Sequence, residues 1–184
     1  MRRRFIKWRD YDKIVVKIQR AGEETSYTGS YEDLEFEGVT KGNETDVKNV
    51  LARMLTADKD IPERLISLVA TVTGYIDLMV NAGARYATAS YGYEFRWDCE
   101  VGVRVGAIYD DEGDSGDNQY LGWVVTARAY FEGYDGLTVD SHHEVKKKLR
   151  PGDSLDVDAL RDELVWLVKI AYNAYKGGPR RMCL

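Results

Sequence analysis

Between residues 87 and 109 apolar or aromatic side chains take every odd position: Ala87, Ala89, Tyr91, Tyr93, Phe95, Trp97, Cys99, Val101, Val103, Val105, Ala107 and Tyr109. The even positions, from Thr88 to Gly106, are mostly polar or glycine. A period of two is extended chain with one buried face. A two-residue hairpin opposes residues three apart, which would switch the buried parity. The parity does not switch, so the pattern predicts one very long strand. After the polar stretch 110–118 the alternation resumes at Leu121, Trp123, Val125, Ala127, Ala129 and Phe131. Past the turn at 133–136, Leu137, Val139, Val145 and Leu149 are set against Thr138, Asp140, His142, Glu144, Lys146 and Lys148. These segments predict a three-stranded antiparallel meander whose last strand carries the charge of an edge. Upstream, Ile14, Val16 and Ile18, then Leu34 and Phe36, alternate with polar residues and predict an N-terminal hairpin with 21–26 as its loop.

Three stretches have helical spacing instead. Val47, Val50, Leu51, Met54 and Leu55 form one stripe, with Thr45 as candidate N-cap. Asp60-Ile61-Pro62-Glu63 reads as a capping box. It opens a helix bearing Leu65, Leu68, Val69, Val72, Tyr75, Ile76, Met79 and Val80. Ser154 or Asp156 opens the last helix, whose stripe is Leu160, Leu164, Leu167, Val168, Ala171, Tyr172 and Tyr175. Strands and helices in this order lack the alternation of parallel sheets. The expected class is α+β: an antiparallel sheet, made of the N-terminal hairpin and the long three-stranded meander, packed with two central helices and a C-terminal helix. No repeat or linker divides it, so one domain is expected over 1–184, with a basic arm at 1–10 and a basic tail at 177–184. The element order resembles helix-grip ligand-binding folds, in which a curved antiparallel sheet wraps a long C-terminal helix. That resemblance implies an apolar pocket between sheet and last helix.

Composition narrows the class. The chain has 184 residues, 44% of them hydrophobic and 31% charged, which excludes disorder. Its apolar stretch at 65–76 is shorter than the roughly 18 to 20 residues that span a bilayer. Lys7, Arg9, Asp10 and Asp12 interrupt any signal-peptide core after Arg2, Arg3 and Arg4. Cys99 and Cys183 offer neither metal spacing nor a disulfide framework. A reducing, cytoplasmic setting is therefore expected, with no membrane contact, no metal and no cofactor.

Charge is segregated behind a net charge of −5. Residues 1–20 hold eight Lys or Arg against two Asp; residues 21–46 hold eight acids against Lys41. Residues 94–117 hold eight acids against Arg96 and Arg104. Arg2, Arg3, Arg4, Lys7, Trp8 and Arg9 form an arm suited to phosphates and bases, so nucleic acid is one expected partner. The acidic surface of another copy is a second. Asp110, Asp111, Glu112, Asp114 and Asp117 make an acidic tip that lacks EF-hand order: Gly116 comes one place late and Leu121 stands where a bidentate Glu belongs. Such a tip solubilises a hairpin and can probe a basic groove on a partner.

Nucleotide-binding loops and nucleophile elbows are absent from the sequence. One cluster has catalytic character. Asp140, His142, Glu144 and Lys146 are spaced by two and share a sheet face, roughly 6.5 to 7 Å apart. Glu144-Val145-Lys146, with Asp135 or Asp140 upstream, resembles the metal-dependent PD-(D/E)xK nucleases. The resemblance implies a divalent ion held by two carboxylates and a lysine that steadies the attacking water. His143, of opposite parity, faces the core beside Val145. Glu94, Asp98 and Glu100 interleave with Arg96 and Arg104 as a cross-strand charge ladder. Tyr91, Tyr93, Phe95 and Trp97 read as core, whereas Tyr86, Tyr120 and Tyr130 fall on the outer face, where something is expected to pack. The leading expectation is a non-enzymatic binding or assembly protein of viral or mobile-element type. It would act by self-association or by occupying a partner protein's surface, in a virus-infected host cell where the protein is viral. A PD-(D/E)xK-like nuclease and a helix-grip small-molecule binder are the alternatives.

Overall fold

The computed structural model describes residues 15–56, 61–96, 99–112, 119–133, 141–150 and 154–176. Seven strands form one antiparallel sheet: β1 (Val15–Ala21), β2 (Glu24–Tyr31), β3 (Leu34–Thr40), β4 (Tyr86–Arg96), β5 (Cys99–Glu112), β6 (Gln119–Gly133) and β7 (Ser141–Leu149). Their spatial order is β1-β2-β3-β7-β6-β5-β4. Between β3 and β4 run α1 (Glu44–Leu55) and α2 (Glu63–Asn81), and α3 (Val157–Lys176) follows β7. This is an α+β fold, a seven-strand antiparallel sheet packed against three helices.

The expected single strand over 87–109 is instead the hairpin β4–β5. Its pairing runs Tyr86↔Ile108 through Glu94↔Glu100, then slips one residue to Arg96↔Cys99. That bulge places odd residues opposite odd residues, so the buried parity survives the turn and hides it from the pattern. The N-terminal hairpin is likewise a three-strand unit, because β2 begins inside the expected loop, at Glu24, and runs on to Tyr31. Thr25 and Tyr27 of β2 are buried. Two-residue turns flank the strand, with positive φ at Gly22 (65°) and Glu32 (53°).

The third correction concerns β7, which lies at the centre between β3 and β6 and not at an edge. Its charges resemble those of an edge, but Lys146 and Lys147 are answered by carboxylates of neighbouring elements. Lys146 Nζ lies 3.3 Å from Glu37 Oε2 and 3.5 Å from Glu35 Oε2, both on β3. Lys147, on the other face, reaches Asp33 and Glu163 and stands 5.8 Å from the Trp166 ring centroid.

All three helices cover one face. α3 lies across β5, β6 and β7, with α1 on its β2 side and α2 on its β4 side. Val47, Val50, Leu51, Met54 and Leu55 of α1 are buried as their spacing predicts. Leu65, Leu68, Val69, Val72 and Ile76 of α2, and Leu160, Leu164, Leu167, Val168 and Ala171 of α3, join them. Beneath α3 the sheet presents small side chains, Ala107, Ala127 and Ala129, all fully buried, which let the helix sit close. The caps differ in part from expectation. Asn43, not Thr45, caps α1, reciprocated by the Asp46 side chain; Pro62 stands at the start of α2, and Asp60 of the expected capping box lies outside the described residues. Asp156 Oδ1 accepts from Ala159 N at the start of α3. Tyr75 stands out of the core at 45% exposure, one turn from the exposed Leu78 on the outward side of α2. No described helix is long and apolar enough to cross a membrane.

Candidate functional site

The second face of the sheet carries no helix among the described residues, and its side chains come from the odd positions of β3 and the even positions of β4 to β7. The registers arrange them in three rows that run across the strands. The first row passes through Glu35, Lys146, Arg128, Arg104 and Ser90. The middle row passes through Glu37, Glu144, Tyr130, Gly102 and Gly92. The third passes through Val39, His142, Glu132, Glu100 and Glu94. Three cations thus stand directly opposite one another on β7, β6 and β5, and three carboxylates on β6, β5 and β4. Like charges directly opposite are destabilising in a sheet. Stability alone would alternate the signs.

Diagonal contacts between rows offset part of that cost. Arg128 Nη1 is 3.6 Å from Glu144 Oε1. The Tyr130 hydroxyl donates to Glu100 Oε1 at 2.6 Å, and the Arg104 guanidinium lies 5.1 Å from the Tyr130 ring centroid. His142 Nδ1 is 3.2 Å from Glu132 Oε1, its Nε2 is 3.7 Å from Glu144 Oε2, and its ring stacks on Tyr130. Glu144 and Tyr130 are each only 5% exposed, although none of the described helices lies above them. Glu144 Oε1 has no hydrogen-bond partner, so Arg128 neutralises it at ion-pair distance only. The residues required for this close packing are glycines. A Cβ at Gly102 would overlap the Tyr130 ring, and one at Gly92 would overlap the Glu100 carboxylate.

The Glu144 carboxylate raises the His142 pKa above its ordinary 6.5, assisted by Glu132 and opposed by burial. Reciprocally, His142 holds Glu144 below its ordinary 4.5 against burial, with Arg128 and Lys146 assisting. Burial and the Glu100 carboxylate push the Tyr130 phenol well above the usual range. Linkage fixes the signs. Stabilisation from the His142 shift is complete below 6.5 and fades as pH rises through the raised folded value. Stabilisation from the Glu144 shift is complete above 4.5 and fades as pH falls through the lowered one. The pair is therefore worth most between 4.5 and 6.5. His142→Asn is expected to lower the unfolding temperature clearly at about pH 5.5 and little at about pH 9. An equal loss at both pH values, in melting curves of the two chains, would refute the electrostatic role.

The cluster expected to be catalytic is divided. Glu144 and His142 do meet, but Lys146 turns to Glu35 and Glu37 on β3. Asp135 and Asp140 lie outside the described residues, as do the arm residues Arg2 to Arg9, Asp114 and Asp117 of the acidic tip, Trp97 and Asp98. Asp110, Asp111 and Glu112 lie on the end of β5, where only the backbone is described. Among the described residues no group of three or more His, Cys, Asp or Glu is placed to hold a metal ion. His143 is fully buried as expected, its Nδ1 2.9 Å from the Tyr27 hydroxyl and its ring stacked on Phe131. Tyr86 is 71% exposed, whereas Tyr130, expected to be exposed too, is buried. Tyr91, expected in the core, is exposed because β4 is an edge that α2 covers only in part.

Pattern reading missed Glu37, Arg128 and Glu132, although each alternates with buried neighbours on its strand (Phe36, Ala127, Ala129 and Phe131), and that alternation was the signal that could have found them. A cavity of about 190 Å³ opens at the start of α3, lined by Val125, Leu149, Leu155, Leu160, Arg150 and Glu163. It is smaller than the roughly 300 to 1,000 Å³ of ordinary small-molecule sites. Comparison with protein-family models, curated proteins and solved structures returns no match.

Proposed function

We propose that the protein is a non-enzymatic binding or assembly protein whose working surface is the helix-free face of the sheet. One observation carries this reading: charges of one sign are aligned across β5, β6 and β7, and charges of the other sign run parallel to them two rows away. Local rules are broken in this way where a fold is kept for a purpose other than its own stability. The order of Tyr130 and Glu144 adds to it, since a preformed charged surface loses less entropy on docking than a mobile one. Charged faces of this kind steer encounter and reject wrong partners more than they supply raw affinity.

The test against catalysis is direct. With single- or double-stranded DNA or RNA, and magnesium or manganese, the intact chain is expected to leave the nucleic acid uncut. The ions are expected to leave its melting temperature unchanged. Divalent-dependent cleavage that Glu144→Gln abolishes in a folded variant would overturn the reading in favour of a nuclease.

A further inference from the structure

We infer that the occupant of the helix-free face is a second copy of the same face, joined about a two-fold axis that runs along the middle row, across the strands. This rests on the proposed role of that face and names its partner. Rotation about such an axis reverses the strand direction and therefore exchanges the outer rows. Arg104 comes to lie over Glu100 of the second copy, and Arg128 over Glu132 of the second copy, each contact occurring twice. Lys146 comes to lie over His142 of the second copy, a contact that adds no attraction, so the opposed charges of β5 and β6 carry the pairing. An axis along the strands would instead set cations over cations and carboxylates over carboxylates. Electrostatics thus selects one of the two face-to-face arrangements, and the selected one is isologous, as closed dimers are.

Shape agrees with charge. The middle row contains Gly102 and Gly92, which have no side chain, together with Tyr130 and Glu144, which are folded down into the face. Over β4 to β7 the row on the axis is therefore low, and the long side chains flanking it there can interdigitate across the roughly 10 Å that separates packed sheets, while Glu37 and Lys17 continue the row at its β3 and β1 end. The three rows continue over β2 and β1 through Ser30 and Val15, Thr28 and Lys17, and Ser26 and Gln19, so they cross all seven strands. At about 4.8 Å between strands and 6.7 Å between side chains on one face, three such rows cover roughly 700 Å². A standard interface buries about 800 Å² on each partner.

The test uses complementary reversals in the full chain, with native mass by light scattering in low salt and melting curves to establish folding. The wild type is expected at twice the 21.0 kDa chain mass. Arg104→Glu alone and Glu100→Lys alone are each expected to weaken self-association by about tenfold or more, since each sets like charges face to face. Their equimolar mixture is expected to restore the dimer, because every reversed charge then meets its opposite. Restoration also shows that neither variant had merely unfolded. A mixture that stays monomeric, or single variants that pair as tightly as the wild type, would overturn the inference. A dimer that ignores both reversals and is split by Leu78→Glu would move the interface to the outward side of α2. A wild-type monomer would overturn the second copy as occupant. Neither result bears on the non-enzymatic reading, which only Glu144-dependent cleavage would overturn.

Discussion

Gly38→Ala is expected to destabilise the chain by about 3 kcal/mol, at the upper end of the range for overpacking a filled interior. Gly38 lies on β3 between Tyr27 of β2 and His143 of β7. Because it has no side chain, the Tyr27 ring can lie across it and bring its hydroxyl within 2.9 Å of His143 Nδ1. A Cβ there would stand 2.5 Å from the His142 carbonyl oxygen and 2.7 Å from two atoms of the Tyr27 ring. The carbonyl belongs to the sheet ladder, and Tyr27 is 2% exposed, so neither can move aside cheaply. The Tyr27–His143 hydrogen bond would be lost as the ring is displaced, a net cost of about 0.5 to 1.5 kcal/mol on top of the overlap. Urea unfolding with an unchanged slope and a lowered midpoint is the expected result. Stability within about 0.5 kcal/mol of the wild type would mean that the close approach at Gly38 is not a constraint.

Gly102→Ala is expected to cost less, about 1 to 2 kcal/mol, although the overlap is as severe. The atoms in the way are at the far end of the Tyr130 side chain, which can swing off the open face. What is lost is the burial of that ring and its bond to Glu100 at 2.6 Å. The variant has a specific spectroscopic signature. Burial and Glu100 hold the Tyr130 phenol well above its ordinary 10, and release lets it titrate with exposed tyrosines. Alkaline absorbance titration should gain one phenol in the ordinary range relative to the wild type. An unchanged titration curve would show that Tyr130 is not seated over Gly102.

The helices were legible from their stripes: every residue assigned to the buried side of α1 from spacing is buried, and in α2 only Tyr75 of the stripe stands out as exposed. The class was legible for the same reason. Strand boundaries were less so, each for a physical cause. The bulge at the β4–β5 turn preserved the parity of Ala87 to Tyr109 across a reversal of direction. β2 is built of Glu, Thr, Ser and Tyr and has no aliphatic run, so Thr25 and Tyr27 did not announce a strand between two others. β7 looked like an edge because its neutralising partners, Glu35, Glu37 and Arg128, lie on other strands. Residue spacing within one strand shows which side chains share a face. It does not show which strand lies beside it. The charge rows are a property of register, and register becomes visible only when Arg104, Arg128 and Lys146 are aligned across three strands.

Native mass in solution tests the account most directly. The full chain would be measured by size-exclusion chromatography with light scattering, at low and at high salt. An interface built on two pairs of opposed charge rows predicts a species of twice 21.0 kDa at low salt that shifts toward the single-chain mass as salt screens the rows. A species of 21.0 kDa at both salt concentrations would contradict the pairing of the helix-free faces.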